Sequence, residues 1–284
     1  MNKLLTLALS LPLAACVVGS DAPSGDGTNP GGDPGGNPGG STADHITADT
    51  TWTATMAVAK PMTVDAGVKL TIAAGTTVSF ASGGSLVVKG TLDVQGTKAS
   101  PVHLSPDTVG SHYAGISVLG AGELKMAYAV QVGGGISVDS GKVTVTDTLM
   151  SQAEGDFLVA NGGSINVSYS AIGLEPGTLK DTTHCDMHFG GDPGTISITH
   201  SNISSSSYGL MLYAGANVNL TYNNWFNNTT QVEPSGTVSG DVSNGWFDKG
   251  VPTSSTNATF ITANLSATRL PAASTDPVKG TGPR

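Results

Sequence analysis

Charge is what this chain has least of. Asp, Glu, Lys and Arg make up only 12% of its 284 residues, against about 25% in an ordinary soluble domain. Basic residues are scarcest: ten lysines, two arginines (Arg269 and Arg284), no basic cluster, and a net charge of −9. Phosphate backbones are held by clustered Lys and Arg, so nucleic acid is excluded as a partner. Aromatics amount to 5%, and the two cysteines, Cys16 and Cys185, are too few for a disulfide-stapled scaffold. No apolar run approaches the roughly 20 residues that span a bilayer. Glycine is what abounds: 39 residues, set among Ser, Thr and Val, the composition of a β-rich exported chain.

The first residues follow the order of an export signal. Lys3 is the positive end, Leu4 to Leu11 the apolar stretch, and Leu13-Ala14-Ala15-Cys16 the small-residue cleavage region. Leu-Ala-Ala-Cys resembles the lipobox of bacterial lipoproteins. That resemblance implies that residues 1–15 are removed and that Cys16 becomes an acylated N-terminus carrying chains such as palmitate. More than one chain gives stable membrane anchoring. Val17 in place of Asp implies, by the same resemblance, the outer membrane rather than the inner one. Residues 19–42 hold almost nothing but Gly, Pro, Asp, Asn, Ser and Thr and cannot bury apolar surface. Residues 16–43 are therefore expected to be a disordered tether.

Beyond residue 44 there is no helical periodicity, only short alternating runs cut by Gly, Asn, Asp and Ser, which is strand-and-turn chemistry. Four segments align: GKVTVTDTLM (141), GSINVSYSAI (163), GTISITHSNI (194) and ANVNLTYNNW (216), with starts 22, 31 and 22 residues apart. The apolar pairs Val143/Val145, Ile165/Val167, Ile196/Ile198 and Val218/Leu220 are each followed five residues later by Met150, Ile172, Ile203 or Trp225. Thr148, Ser170, Ser201 and Asn223 share one equivalent position, and Asp147, Tyr169, His200 and Tyr222 share another. Recurrence at a period near 22 predicts stacked coils about 4.8 Å apart with side-chain ladders, a parallel β-helix over residues 44–252 of about nine coils. Residues 253–284 lack the coil pattern and form an irregular segment available to pack on the helix.

The run from Thr50 to Pro106 carries Val64, Gly67, Leu70, Thr71, Ile72, Gly75 and Thr76, then Gly90, Leu92, Val94, Gly96 and Thr97. It resembles bacterial right-handed β-helix proteins of the pectin-lyase-like superfamily, of the secreted or surface repeat type, and YNNWFNN (222–228) resembles their Asn-rich turns. The resemblance covers roughly residues 46–250. It implies an all-β, right-handed solenoid and leaves activity open, because this fold hosts lyases, hydrolases, adhesins and passive surface proteins alike.

Catalytic sets of that superfamily are hard to find here. The paired aspartates with Gly-His-Gly and Arg-x-Lys of the hydrolases are missing, and both arginines lie beyond the repeats, so no coil supplies an Arg base. Lys142 or Lys180 could act as a base, with no recognisable carboxylate cluster beside either. Glu154 and Asp156 share one face at i, i+2, a pairing that glycosidases need. A lyase or hydrolase reading thus centres on Glu154, Asp156, Lys180 and His184. No catalytic residue, cofactor or metal is assigned.

The densest set of potential ligands is TTHCDMHFGG (182–191). Strand alternation puts Cys185, Met187 and Phe189 in the core and His184, Asp186 and His188 outside. Histidines at i and i+4 of a strand lie about 13 Å apart, too far to share an ion, so either could pair with Asp186 between them, giving at most a two-ligand site. The expected binding face is His184, Asp186, His188, His200, Tyr169 and Tyr222. Counting back four residues from each coil-closing glycine places Leu158, Met187, Met211 and Val232 inside. That leaves Phe157, Val159, Leu210 and Leu212 as an outward apolar patch, either covered by residues 253–284 or open to a partner protein. The function expected is a lipid-anchored outer-membrane module for adhesion, interaction or structure, with an envelope polysaccharide or surface protein as partner.

Overall fold

The computed structural model describes residues 41–42, 44–173, 184–191 and 194–284. Among them the chain is all β. It winds through about nine turns, and each turn contributes one strand to each of three parallel sheets. In the first sheet lie Pro61–Val64, Ser85–Val88, Ile116–Val118, Ile136–Val138, Leu158–Ala160, Cys185–Phe189, Tyr208–Tyr213 and Thr230–Ser235 in that order. The second sheet runs from Thr50–Trp52 to Ala258–Ile261, and the third from Met56–Val58 to Trp246–Phe247. Ala258–Ile261 pairs with Val238–Asp241, so the coil pattern reaches past residue 252.

The repeat fixes the register. Val143, Ile165, Ile196 and Val218 are successive partners in the second sheet. Met150, Ile172, Ile203 and Trp225 are partners in the third, and all eight are buried. No coil can bury its apolar strand faces alone; stacking completes the core.

Thr148, Ser170, Ser201 and Asn223, fully buried, form a hydrogen-bonded ladder. The Thr148 backbone N–H donates to Ser170 Oγ (3.2 Å), that of Ser170 to Ser201 Oγ (3.2 Å) and that of Ser201 to Asn223 Oδ1 (2.8 Å). Each hydroxyl donates in turn to the carbonyl two residues before it, at 2.9 Å. Backbone groups at this corner point along the stack where the sheets are interrupted, and the ladder supplies the partners that burial demands. The neighbouring corner position takes a left-handed backbone: φ is 51° at Asp147, 49° at Tyr169, 52° at His200 and 58° at Tyr222. Non-glycine residues rarely adopt it. Here the rings point out of the corner and stack, Tyr169 on His200 and His200 on Tyr222, each at 4.8 Å. Stacking at the coil spacing offsets part of the backbone strain.

The expected apolar patch does not exist. Phe157, Leu210 and Leu212 are fully buried, and only Val159 is half-buried and outward. Leu210 pairs with Met187 and Leu212 with Phe189, because this coil carries one extra residue before its glycine. Leu158, Met187 and Val232 lie four residues ahead of Gly162, Gly191 and Gly236, whereas Leu210 lies five ahead of Gly215. Met211 is therefore the residue that turns outward. Phe157 precedes its strand, where alternation has not begun, so Phe157 and Leu158 are both inside.

Candidate functional site

The histidine strand is bound to the coil before it. His184, at the bend leading into Cys185–Phe189, sets its Nδ1 2.7 Å from Asp156 Oδ1, and His188 sets its Nδ1 3.2 Å from Asp156 Oδ2. One carboxylate thus serves both rings, an oxygen each. The Cys185 backbone N–H adds a third bond to Oδ1 at 3.3 Å, and Tyr213 of the following coil stacks on His188 at 4.5 Å. Burial raises the Asp156 pKa, but the hydrogen bonds from His188 and His184 outweigh it and hold the carboxyl below its ordinary 3.8.

That ionised state bears on the hydrolase reading. A glycosidase acid must keep its proton near neutrality, and Asp156 is pushed the other way. Glu154 is exposed, and Lys180 lies outside the described residues. A depressed folded-state pKa stabilises the fold fully above the unfolded value and progressively less as pH falls through the folded one. Asp156→Asn should therefore lower stability by about 1 kcal/mol at neutral pH, since the site is partly exposed. It should also flatten the loss of stability below pH 3.8. Thermal melts of both proteins across pH 2 to 7, on the order of the carboxylate range, check this.

Asp186 is not on the outer face. It is fully buried, as are Cys185 and Met187 beside it, because the chain is still turning the corner where the strand starts. Its carboxylate lies in the interior against Gly173, whose backbone has φ 110°. A Cβ at Gly173 would come 2.9 Å from Asp186 Oδ1 and would clash with the Ser204 carbonyl, so that glycine makes room for the buried acid.

Tyr169, His200 and Tyr222 lie at the corner between the second and third sheets, apart from His184 and His188 on the first. The C-terminal segment, one of the two alternatives for covering the apolar patch, packs at this corner instead. It runs back along the coils. Leu270 donates its N–H to Asn224 Oδ1 (2.9 Å), and Thr281 Oγ1 bonds Asn224 Nδ2 (2.7 Å) and Asn202 Oδ1 (2.9 Å). His200 Nδ1 meets the Gly280 carbonyl (3.0 Å), Tyr169 donates its hydroxyl to that of Pro277 (3.0 Å), and Arg284 Nη2 reaches Asp147 Oδ2 (2.7 Å). Arg284 also lies over the Tyr169 ring at 4.1 Å, and Arg269 over Phe226 at 4.0 Å. Two residues of the expected binding face, Tyr169 and His200, are thus engaged by the chain itself. One signal was in the sequence: both arginines fall in this segment, and arginine is the side chain that stacks on exposed rings.

An open groove of about 920 Å³ lies on the outward face of the second sheet, lined among others by Thr195, Asn217, Asn219, Thr221, Ser239 and Asp241. Asn219, Asp241 and Ile261 are register partners in its lining, and Ser197, one coil earlier in the same column, accepts from Asn219 Nδ2 at 3.2 Å. Earlier coils of this sheet carry ion pairs instead, Lys69 with Asp93 and Lys125 with Glu123. The groove thus occupies the part of the sheet built from hydroxyls and amides. Cys16 lies outside the described residues. No family model, no curated protein and no solved structure matches the chain.

Proposed function

We propose that this protein is a lipid-anchored module of the bacterial cell envelope, held off the outer membrane by its Gly/Pro-rich tether. On this reading it is a non-catalytic member of the right-handed, pectin-lyase-like β-helix group and binds an extended, neutral polyhydroxylated polymer along the second-sheet groove. The observation that carries the reading is the register of Ser197, Asn219 and Asp241. Hydrogen-bonding groups recur there at the coil spacing of about 4.8 Å, so a polymer of regularly spaced hydroxyls meets the same chemistry at each step. Ile261, 56% exposed at the end of the column, offers an apolar contact for the face of a sugar ring. A net charge of −9 repels polyanions, which favours neutral glycans over polyuronides.

Two measurements test this. The protein presented with a panel of neutral glycans and polyuronides should retain a neutral glycan and release no product. Turnover abolished by Glu154→Ala or His184→Ala would establish the enzyme reading instead. For the anchor, Cys16→Ala should move the protein from the membrane fraction to the soluble one, and a variant still held at the membrane would refute lipidation there.

A further inference from the structure

We infer that Asp156, His184 and Cys185 form a binding site for a zinc-class divalent ion, one that pins two successive coils together. Strand alternation would carry the cysteine away from the histidines. In the structure Cys185 Sγ lies 3.2 Å from His184 Nδ1, and the same nitrogen lies 2.7 Å from Asp156 Oδ1. One sulfur, one imidazole nitrogen and one carboxylate oxygen all fall within 4.8 Å of one another.

Their arrangement separates this site from a nucleophilic triad. A Cys-His-Asp relay puts the thiol on one ring nitrogen and the carboxylate on the other, so that a proton can cross the imidazole. Here thiol and carboxylate converge on a single nitrogen, and a relay has no path. Convergence on one point is what a metal requires. Zinc takes Cys sulfur at about 2.3 Å and His nitrogen or carboxylate oxygen at about 2.0–2.2 Å, so tetrahedral ligands sit roughly 3.3–3.6 Å apart. To admit the ion the nitrogen–sulfur and nitrogen–oxygen distances open by about half an ångström, and the sulfur and carboxylate oxygen, within 4.8 Å of each other, settle at about 3.6 Å.

The donor set also indicates which ion. Thiolate with imidazole selects zinc or cobalt over calcium and magnesium, which demand oxygen ligands. On binding, the thiol gives up its proton to solvent, and the imidazole proton that faces Asp156 leaves Nδ1, the neutral ring keeping its one proton on Nε2. His188, on the second oxygen of Asp156 at 3.2 Å and stacked on Tyr213 at 4.5 Å, braces the carboxylate as outer partners of metal ligands do. His184 has a half-exposed side chain and leaves the site reachable from solvent. Asp156 and Cys185 belong to consecutive coils, so the ion would staple the two across the coil that the sequence lengthens to 31 residues.

The test is a cobalt titration of the full chain carrying Cys16→Ser, so that Cys185 is its sole thiol. The expected result is one equivalent of Co²⁺ bound, with a thiolate-to-cobalt charge-transfer band in the near ultraviolet that zinc bleaches. Cys185→Ser should abolish the band. Because Cys185 is buried and its loss could disturb the fold, the exposed variant His184→Gln decides independently. With an unchanged circular dichroism spectrum it should weaken cobalt binding at least about tenfold. No charge-transfer band at saturating cobalt, or a band of equal strength and affinity in His184→Gln, would overturn the site. Glycan binding on the second sheet, measured in chelator, is independent of either outcome.

Discussion

Replacing Trp225 with alanine should destabilise the protein by about 3–5 kcal/mol, the range for truncating a fully buried aromatic. Trp225 is completely buried in the third-sheet core column between Ile203 and Phe247, and its ring lies parallel to that of Phe247 at 5.8 Å. Space for the indole comes from Gly209, where an added Cβ would lie 3.1 Å from Trp225 Cε3. Trp225→Phe should cost far less, below about 1.5 kcal/mol. The indole N–H has no hydrogen-bond partner among the described residues, and phenylalanine removes that buried donor along with some volume. Urea unfolding of the three proteins reads the difference. Equal losses in the two variants would mean that packing at this column is not what holds the C-terminal coils.

Asn223→Ala should cost about 3–4 kcal/mol, because it strands three buried backbone groups at once. Asn223 Oδ1 accepts from the Ser201 N–H, and its Nδ2 donates to the carbonyls of Ile198 (2.7 Å) and Leu220 (2.9 Å). Each buried group left without a partner costs about 1–3 kcal/mol, and carbonyls tolerate the loss better than N–H groups. The ladder also predicts its own rescue. Asn223→Ser should recover a substantial part of the loss, since Ser170 and Ser201 perform the accepting role at the equivalent position two coils and one coil earlier. A serine variant no more stable than the alanine one would contradict the ladder.

The same columns show why part of this protein could be read from its sequence and part could not. Val143, Ile165, Ile196 and Val218 announce themselves because a solenoid repeats one local solution, and a period near 22 exposes it. The corner ladder of Thr148, Ser170, Ser201 and Asn223 is legible for the same reason. The reading failed where the repeat is broken. One extra residue ahead of Gly215 reversed the inside and outside of Leu210, Met211 and Leu212. At Cys185–Met187 the strand starts inside a bend, so three consecutive residues are buried and the two-residue alternation does not apply. The pairing of Asp156 with His184 and His188 was hidden because the partners sit 28 and 32 residues apart, across the longest coil. Beyond Ile261 the C-terminal segment has no period, and its path over Tyr169 and His200 depends on hydrogen bonds that leave no pattern in sequence.

That path also redirects the search for a ligand. The aromatic column that most resembles a sugar platform is tied at Tyr169 and His200 to residues 277–284, and the groove left open is lined by hydroxyls, amides, one carboxylate and the exposed Ile261. Binding there is the central claim. Its most direct measurement is the affinity of the intact protein for the neutral glycan it retains, compared with that of an Asn219→Ala, Asp241→Ala variant. Loss of two hydrogen-bonding groups, worth about 1.4 kcal/mol together, should weaken binding about tenfold, with the fold unchanged and no product released. An affinity unaltered by the double substitution, or a glycan cleaved by the wild type, would contradict it.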